Sequence, residues 1–224
     1  MKYTTILFDS DDTLLDFKAS ERKAIAEAFE RASLNYDAEV SADYSEINHS
    51  LWKALERGEL TTDELLVRRF ELLFEKHSYD YDPKSFNDLY FYCLSETDFT
   101  VDGAREVLES LYGRYELNII TNGVGYIQSS RLGNADIAKY FKHIFISGEI
   151  GANKPSMIFF DHVLENLCEK DKSRILVIGD SLTSDIKGAC NAGLDSIYIG
   201  NSDNITDTIP TYTVTSIKDI LNII

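Results

Sequence analysis

Short apolar runs of the length of a buried strand recur along the chain, each followed by polar residues or glycine. Four are clear: Thr5–Phe8, Leu117–Ile120, Ile175–Ile178 and Ser196–Ile199. Two weaker strand candidates are His143–Ile146 and Tyr212–Val214. After residue 100, helical patterns separate the strands at about 102–113, 124–140, 156–168, 183–192 and 216–223. Strands alternating with helices predict an α/β fold, with a parallel sheet covered by helices on both faces.

The stretch from about 17 to 96 shows amphipathic helical patterns and no convincing strand. The predicted helices are Ser20–Ala32, Ala42–Arg57, Thr62–His77 and one near Pro83–Leu94. Thr62 and Asp63 suit a helix start. Because these helices interrupt the α/β pattern after its first strand, we expect an inserted all-helical cap domain at 17–96. Residues 1–16 and 97–224 are then the α/β core.

Composition narrows the class of protein. The chain has 224 residues, 44% of them hydrophobic, and a formal net charge of −16. This charge argues against nucleic-acid polymers and anionic membranes as partners, although a small anionic ligand remains compatible with it. No long apolar stretch or signal peptide is apparent, so we expect a cytoplasmic protein. Cys93, Cys168 and Cys190 are expected to be buried, reduced thiols.

Acidic residues crowd the end of the first strand. Asp9, Asp11 and Asp12 follow Phe8 within four positions. Side chains alternate along an extended chain, so Asp9 and Asp11 start on the same side. Two neighbouring carboxylates on the same side repel each other unless a cation or a proton offsets their negative charge. The pattern therefore indicates a metal site or acid–base chemistry, and the alternative is an ordinary acidic turn.

Three more polar signals lie at or just past predicted strand ends, where parallel sheets bind ligands. Thr121-Asn122-Gly123 could hold phosphate oxygens, or be an ordinary Asn-Gly turn. Lys154 could offer an ammonium group to an anion, or be a solvated loop lysine. It precedes Pro155, which suits the first turn of the next helix.

Two acids follow the strand Ile175–Ile178. Asp180 could be a ligand of a hard cation such as Mg²⁺, or the N-cap of a helix that begins near Thr183. Asp185 lies five residues further along and would share the same end of the sheet. Polar groups of the kind that bind phosphate together with a divalent metal thus follow several strands. Their repeated occurrence at strand ends argues against a chance arrangement.

Taken together, these positions resemble the four signature motifs of the haloacid dehalogenase-like (HAD) phosphohydrolases: Asp9-x-Asp11-x-Thr13, Thr121, Lys154 and Gly179-Asp180-x-x-x-x-Asp185. The resemblance covers nearly the whole chain outside the cap. It implies that residues 1–16 and 97–224 are a Rossmann-like three-layer catalytic core and that residues 17–96 are a C1-type cap.

A narrower resemblance is to the YjjG-like pyrimidine 5′-nucleotidases. Asp12 stands where most of the superfamily has glycine, and the segments Leu51-Trp52, Gly58-Glu59-Leu60-Thr61 and Arg69-Phe70 also look like that branch. The segment Phe99–Gly103 lacks a proline that many relatives carry before the glycine.

The resemblance implies a two-step phosphoryl transfer that depends on Mg²⁺. Asp9 would be the nucleophile and would form an aspartyl-phosphate. Mg²⁺ would be bound by Asp9, the backbone carbonyl of Asp11 and Asp180, with Asp185 holding metal-bound water or supporting Asp180. Asp11 would protonate the leaving alkoxide and then activate water.

The remaining residues would hold the phosphate and the substrate. Lys154 and Thr121 would neutralise and orient the phosphate oxygens, helped by backbone N–H groups at Asp11, Asp12 and Asn122, with Gly123 in the same turn. Phe17 would lie near the substrate, where the chain leaves the site for the cap. Cap aromatics have helical spacing, and most are expected in the core of the cap.

The resemblance implies a small phosphomonoester as the substrate, namely a nucleoside 5′-monophosphate and in particular a pyrimidine one. The alkoxide that leaves a phosphate ester needs a proton, whereas the halide released by the dehalogenases of this superfamily does not. An acid at Asp11 therefore indicates phosphate-ester hydrolysis rather than dehalogenation. Alternatives are a sugar-phosphate phosphatase or phosphomutase and, from another class, a non-catalytic metal- or phosphate-binding module. The sequence makes no prediction of the oligomeric state.

Overall fold

The computed structural model describes residues 2–204 and 208–224, and the chain divides into two compact units. One unit consists of Met1–Phe17 and Asp98–Ile224, and the other of Lys18–Thr97. These divisions fall one residue away from the predicted domain boundaries. The roles of catalytic core and cap stay predictions.

The first unit contains a six-stranded, fully parallel sheet in the order β3-β2-β1-β4-β5-β6. Its strands are β1 (Thr5–Phe8), β2 (Glu116–Thr121), β3 (His143–Ile146), β4 (Ile175–Gly179), β5 (Asp195–Ile199) and β6 (Tyr212–Val214). All six predicted strands are present, and the predicted α/β, Rossmann-like fold is confirmed. Strand order reverses between β1 and β4, and such switch points leave a crevice at the carboxyl ends of the strands.

Both faces of the sheet are buried, which is why its strands are nearly continuous apolar runs. Alternate residues of β1 face opposite sides. Ile6 and Phe8 belong to one apolar cluster, and Leu7 to another. The first cluster includes Leu108, from the helix Ala104–Leu111 that precedes β2. The second includes Phe160, from the helix Met157–Asn166 between β3 and β4. The sheet is therefore the middle of three layers.

Helices of this unit are shorter than their predicted ranges. They are α5 (Ala104–Leu111), α6 (Gly125–Asn134), α7 (Ser147–Ile150), which the sequence did not predict, α8 (Met157–Asn166) and α9 (Lys187–Ala192). The predicted helix 124–140 breaks because Asp136 has a left-handed backbone, with φ of 52°. A short 3-10 turn, Ala138–Tyr140, follows. The predicted helix 216–223 is a 3-10 helix, Ile217–Asn222.

The second unit is helical throughout its regular structure. Its helices are α1 (Phe17–Arg31), whose first residue belongs to the other unit, α2 (Ala38–Glu56), α3 (Thr62–His77) and α4 (Pro83–Ser95). Helix α3 has its N-cap at Thr61, one residue before the predicted start, and Glu64 completes a capping box. Aromatic rings make the core, since Phe70 contacts Phe86 and Tyr90 at centroid distances of 4.9 and 5.7 Å. This agrees with the expectation for most of these aromatics, whereas Tyr92 is exposed.

The cysteine expectation is right for one residue and wrong for two. Cys93 is buried, whereas Cys168 and Cys190 are exposed, and all three are free thiols. Cys168 lies just beyond the end of α8, and Cys190 lies on the outer side of α9, so neither reaches the apolar layers. Within residues 2–204 and 208–224, no helix combines the length and apolar content that a membrane span requires.

Candidate active site

Three acidic side chains meet at the switch point of the sheet. Phe8 of β1 pairs with Ile178 of β4, and the backbone N–H of Asp9 donates to the carbonyl oxygen of Ile178 at 2.8 Å. This register brings the residues after both strands together. One carboxylate oxygen from each of Asp9, Asp180 and Asp185 lies within 4.8 Å of the other two. The three carboxylates that the sequence placed at one end of the sheet are therefore neighbours.

Lys154 reaches this acidic cluster from the loop after α7. Its Nζ donates to Asp9 Oδ1 at 2.6 Å, to Asp185 Oδ1 at 2.7 Å and to the carbonyl oxygen of Ile120 at 2.9 Å. All three ammonium protons are therefore used, and the residue is only 2% exposed. The alternative of a solvated loop lysine is wrong.

Asn122 fixes the loop that carries Lys154. The Asn122 side chain accepts from the Lys154 backbone N–H at 2.8 Å and donates to the Lys154 carbonyl oxygen at 3.1 Å. The loop continues to Ser156, which caps α8, so Pro155 lies before the helix. The prediction that Pro155 occupies the first helical turn is wrong, because the Ser156 side chain supplies the cap one residue later.

Electrostatics in the cluster favour an additional cation. Burial and repulsion from Asp185 raise the pKa of Asp9 well above its ordinary value, and Lys154 only partly offsets this. Burial opposes the charged form of Lys154, but attraction to Asp185 and Asp9 outweighs it and raises the Lys154 pKa. Three carboxylates and one ammonium group carry a formal charge of −2, which a divalent cation would neutralise.

The donor atoms suit such a cation. Carboxylate oxygens are the ligands that Mg²⁺ prefers, and it needs few of them from the protein. Asp180 does not cap the next helical segment. The Ser181 side chain accepts from the Ser184 backbone N–H instead, so the N-cap alternative for Asp180 is wrong.

Asp185 is held in the cluster by its local backbone. It lies in a π-helical turn, Leu182–Ile186, and its Oδ2 accepts from the Ser181 backbone N–H at 3.1 Å. A Cβ at Gly179 would overlap Asp185 Oδ2 and would lie 2.7 Å from the Asp185 Cβ. Glycine at position 179 therefore leaves the space that the Asp185 carboxylate needs.

The Asp11 side chain points to a different set of partners. Its Oδ1 accepts from Arg131 Nη1 at 2.6 Å, and its Oδ2 accepts from Gln128 Nε2 at 2.5 Å. Its carboxylate is not among the three described acids that cluster, and its predicted metal contact through the backbone carbonyl stays a prediction.

Thr121 shares a hydrogen-bond donor, Gln128, with Asp11. Its Oγ1 accepts from Gln128 Nε2 at 3.2 Å and from the Gly123 backbone N–H at 3.0 Å. Gln128 and Arg131 were not predicted from the sequence. One signal was present, because these two polar residues are three apart on α6, among the buried Ile127 and Leu132, and so share a face.

Asp12 has a backbone conformation that explains its unusual position. Its φ is 58°, in the left-handed region where glycine is favoured and aspartate is tolerated better than most residues. Its Oδ1 accepts from the Phe17 backbone N–H at 3.1 Å, at the start of α1. Its own N–H donates to the carbonyl oxygen of Leu15 at 2.7 Å, so its predicted role toward phosphate requires giving up this bond.

We expect Asp12→Ala to destabilise the protein more than Asp12→Gly does, by about 1 kcal/mol, because alanine adds the left-handed penalty to the lost hydrogen bond. Urea unfolding of both variants measures the difference. Asp12→Asn is the control, since asparagine keeps the acceptor and tolerates positive φ. Equal stabilities of the alanine and glycine variants would contradict this explanation.

Phe17 lies beside Arg131, one of the two side chains that hold Asp11. The Arg131 guanidinium carbon is 5.5 Å from the centre of the Phe17 ring, which is half-buried. The ring thus covers the arginine that contacts Asp11. Its predicted contact with substrate stays a prediction.

Acids and a buried lysine at the switch point of a parallel sheet make this a Rossmann-like enzyme core. Residues 3–193 match the family model described as haloacid dehalogenase-like hydrolase. The chain belongs to this hydrolase family, as the motifs predicted.

Several relatives match over nearly the full chain. YfnB of Bacillus subtilis, named as a HAD-hydrolase, is 37% identical over 100% of this chain and 96% of its own. PynA of Streptococcus pneumoniae, named a pyrimidine 5′-nucleotidase, is 36% identical over 99% of this chain and 95% of its own. YjjG of Escherichia coli, also named a pyrimidine 5′-nucleotidase, is 32% identical over 98% and 97%. The narrower resemblance to YjjG-like proteins is confirmed.

A crystal structure of YfnB bound to magnesium has the same architecture. Its TM-score to this chain is 0.94 at 36% identity, with 100% of this chain and 99% of that chain covered. That crystal structure reveals interdomain movement in YfnB.

Proposed function

We propose that this chain is a magnesium-dependent phosphatase that hydrolyses nucleoside 5′-monophosphates, pyrimidine ones in particular, through an aspartyl-phosphate on Asp9. The observation that carries the proposal is the cluster of Asp9, Asp180 and Asp185, in which Lys154 pairs with the buried Asp9 and Asp185 and whose formal charge a divalent cation would balance. The names of PynA and YjjG support the substrate class.

Asp9 is the proposed nucleophile. The contact between Lys154 Nζ and Asp9 Oδ1 fixes its carboxylate while the other oxygen, Oδ2, attacks phosphorus. The bond from phosphorus to the ester oxygen breaks, and its electron pair passes to that oxygen. Asp11 gives the oxygen a proton, so the alcohol leaves and the phosphoryl group stays on Asp9.

The second step restores the enzyme. Asp11 takes a proton from a water molecule as the water oxygen attacks phosphorus. The bond between phosphorus and Asp9 breaks, its electron pair returns to the carboxylate, and inorganic phosphate leaves. Lys154 and Thr121, with backbone N–H groups of Asp11, Asp12 and Asn122, are proposed to orient the phosphate oxygens.

Mg²⁺ would be held by the carboxylates of Asp9 and Asp180 and by the backbone carbonyl of Asp11. The Asp185 carboxylate would contribute directly or through water. When bound, the ion supplies positive charge that offsets the repulsion between a carboxylate and a phosphate dianion. We further propose that Met1–Phe17 with Asp98–Ile224 acts as the catalytic core and Lys18–Thr97 as a cap, and that the enzyme works in the cytoplasm.

The proposal is tested by phosphate release from a panel of substrates. The panel contains uridine, thymidine, cytidine, adenosine and guanosine monophosphates, and glucose and ribose phosphates. We expect the pyrimidine nucleotides to be hydrolysed fastest with magnesium, and chelation by EDTA to remove the activity. Faster hydrolysis of the sugar phosphates would favour the sugar-phosphate alternative. Magnesium binding without turnover of any substrate would favour the non-catalytic module.

A further inference from the structure

Both oxygens of the Asp11 carboxylate are held by side chains of one helix, α6. Arg131 Nη1 contacts Oδ1 at 2.6 Å, and Gln128 Nε2 contacts Oδ2 at 2.5 Å. We propose that Arg131 and Gln128 are positioning residues, which hold the Asp11 carboxyl group in the orientation from which it exchanges a proton with the leaving oxygen and with water. This inference rests on the acid–base role of Asp11 in the proposed function.

Gln128 has a fully specified set of partners. Its Oε1 accepts from Ser10 Oγ at 3.2 Å, while its Nε2 donates to Asp11 and, at 3.2 Å, to Thr121 Oγ1. Each amide proton and the carbonyl oxygen is therefore used, and the residue is 1% exposed. The amide ties the segment after β1 to the end of β2, so it fixes Asp11 relative to Thr121.

Gly123 provides the space for this amide. A Cβ at position 123 would overlap Gln128 Nε2 and would lie 2.7 Å from its Cγ. A side chain at position 123 would therefore push Gln128 away from Asp11. The turn Thr121-Asn122-Gly123, singled out in the sequence for phosphate, thus also accommodates the positioning glutamine.

Arg131 adds charge and rigidity. It is 1% exposed, and the Asp11 carboxylate is a charged partner at 2.6 Å. A guanidinium group buried in this way is costly unless it is paired, so the pair keeps the Asp11 oxygen at a defined place. The Phe17 ring lies over the guanidinium group at 5.5 Å.

The contacts leave part of the Asp11 carboxylate open to a reacting group. A carboxylate has about four lone-pair sites. Arg131 and Gln128 occupy one on each oxygen, which leaves one on each for the proton that is exchanged. The side chain of Asp11 also keeps 29% of its surface exposed, so substrate can reach it. The two donors therefore orient the group without blocking its reaction.

The experiment compares two leaving groups in the first turnover, when only formation of the aspartyl-phosphate is measured. The substrates are uridine monophosphate, whose alkoxide must be protonated, and p-nitrophenyl phosphate, whose nitrophenolate leaves without a proton. We expect Arg131→Met and Gln128→Met to slow the nucleotide reaction by about 100-fold, within the range of general acid catalysis. The burst of nitrophenolate should fall less than about 5-fold, because general acid assistance is not needed there.

Further variants separate positioning from folding. Arg105→Met is the matched control, because Arg105 donates to the Ala135 carbonyl oxygen just beyond α6 at 2.6 Å and lies outside the contacts described for Asp11. It should leave both rates unchanged. Arg131→Lys should recover part of the nucleotide rate. In the double variant Asp11→Asn/Arg131→Met, the nucleotide rate should equal that of Asp11→Asn alone.

Two different failures are distinguishable. If Asp9→Asn keeps its turnover, the proposed function fails, and this inference fails with it. If Asp9→Asn is inactive and Asp11→Asn shows the leaving-group effect, the proposed function stands. Equal losses on both substrates in the Arg131 and Gln128 variants would then overturn the positioning role. Should Arg131→Met not fold, Gln128→Met and Arg131→Lys decide the question in the same way.

Discussion

Replacement of Asp9 by asparagine is expected to abolish phosphate release and, in the metal-free protein, to raise the melting temperature. The loss of activity should be at least about 10⁴-fold, as for the removal of other catalytic nucleophiles. The gain in stability follows from the raised pKa of Asp9. Burial and the neighbouring Asp185 disfavour its charged form in the fold, and asparagine is a neutral group of the same shape.

The sign of the pH dependence follows from the same shift. Because the pKa of Asp9 is higher in the folded than in the unfolded chain, its stabilising contribution is present below the unfolded pKa and is lost as pH rises through the folded pKa. The difference in Tm between Asp9→Asn and the natural protein should therefore shrink as the pH falls toward the ordinary range of a carboxyl group. Thermal unfolding in EDTA across this range measures it. A lower Tm for Asp9→Asn at neutral pH would contradict the expectation.

Replacement of Lys154 by methionine is expected to destabilise the metal-free protein by about 3–5 kcal/mol, the cost of breaking a buried ion pair. Lys154 is buried between Asp9 and Asp185, and without it both carboxylates lose their ammonium partner. Phosphate release should fall by about 10²–10³-fold, because the variant lacks the side chain that holds Asp9 and that we propose to orient the phosphate. Urea unfolding and single-turnover phosphate release measure the two effects.

Lys142→Met is the matched control for this variant. Lys142 forms a pair with Glu116 at 2.5 Å, but its side chain is 43% exposed. Exposed pairs contribute little, so the control should change Tm only slightly and leave the rate unchanged. Adding Asp9→Asn to Lys154→Met should restore part of the lost stability, because it removes one of the unpaired acids. Similar destabilisation by Lys142→Met and Lys154→Met would refute the role of the buried cluster.

Much of the fold was predictable because the strands are buried on both faces. Continuous apolar runs such as Ile175–Ile178 have little other use in a chain of this composition, and all six predicted strands occur in the sheet. Helix ends were less predictable. Asp136 breaks the predicted helix 124–140 with a positive φ, a choice that depends on local packing rather than on hydrophobic periodicity.

The sequence by itself determined the order of the elements and the end of the sheet at which Asp9, Asp180 and Asp185 meet, because the carboxyl ends of parallel strands share one edge. Only the tertiary structure decided the partners of each charge. Lys154 is buried against acids 145 and 31 residues away along the chain, and Asp11 is held by donors 117 and 120 residues away. Such pairings depend on how a loop and a helix pack against the sheet, and no local pattern of hydrophobic and polar residues specifies that packing.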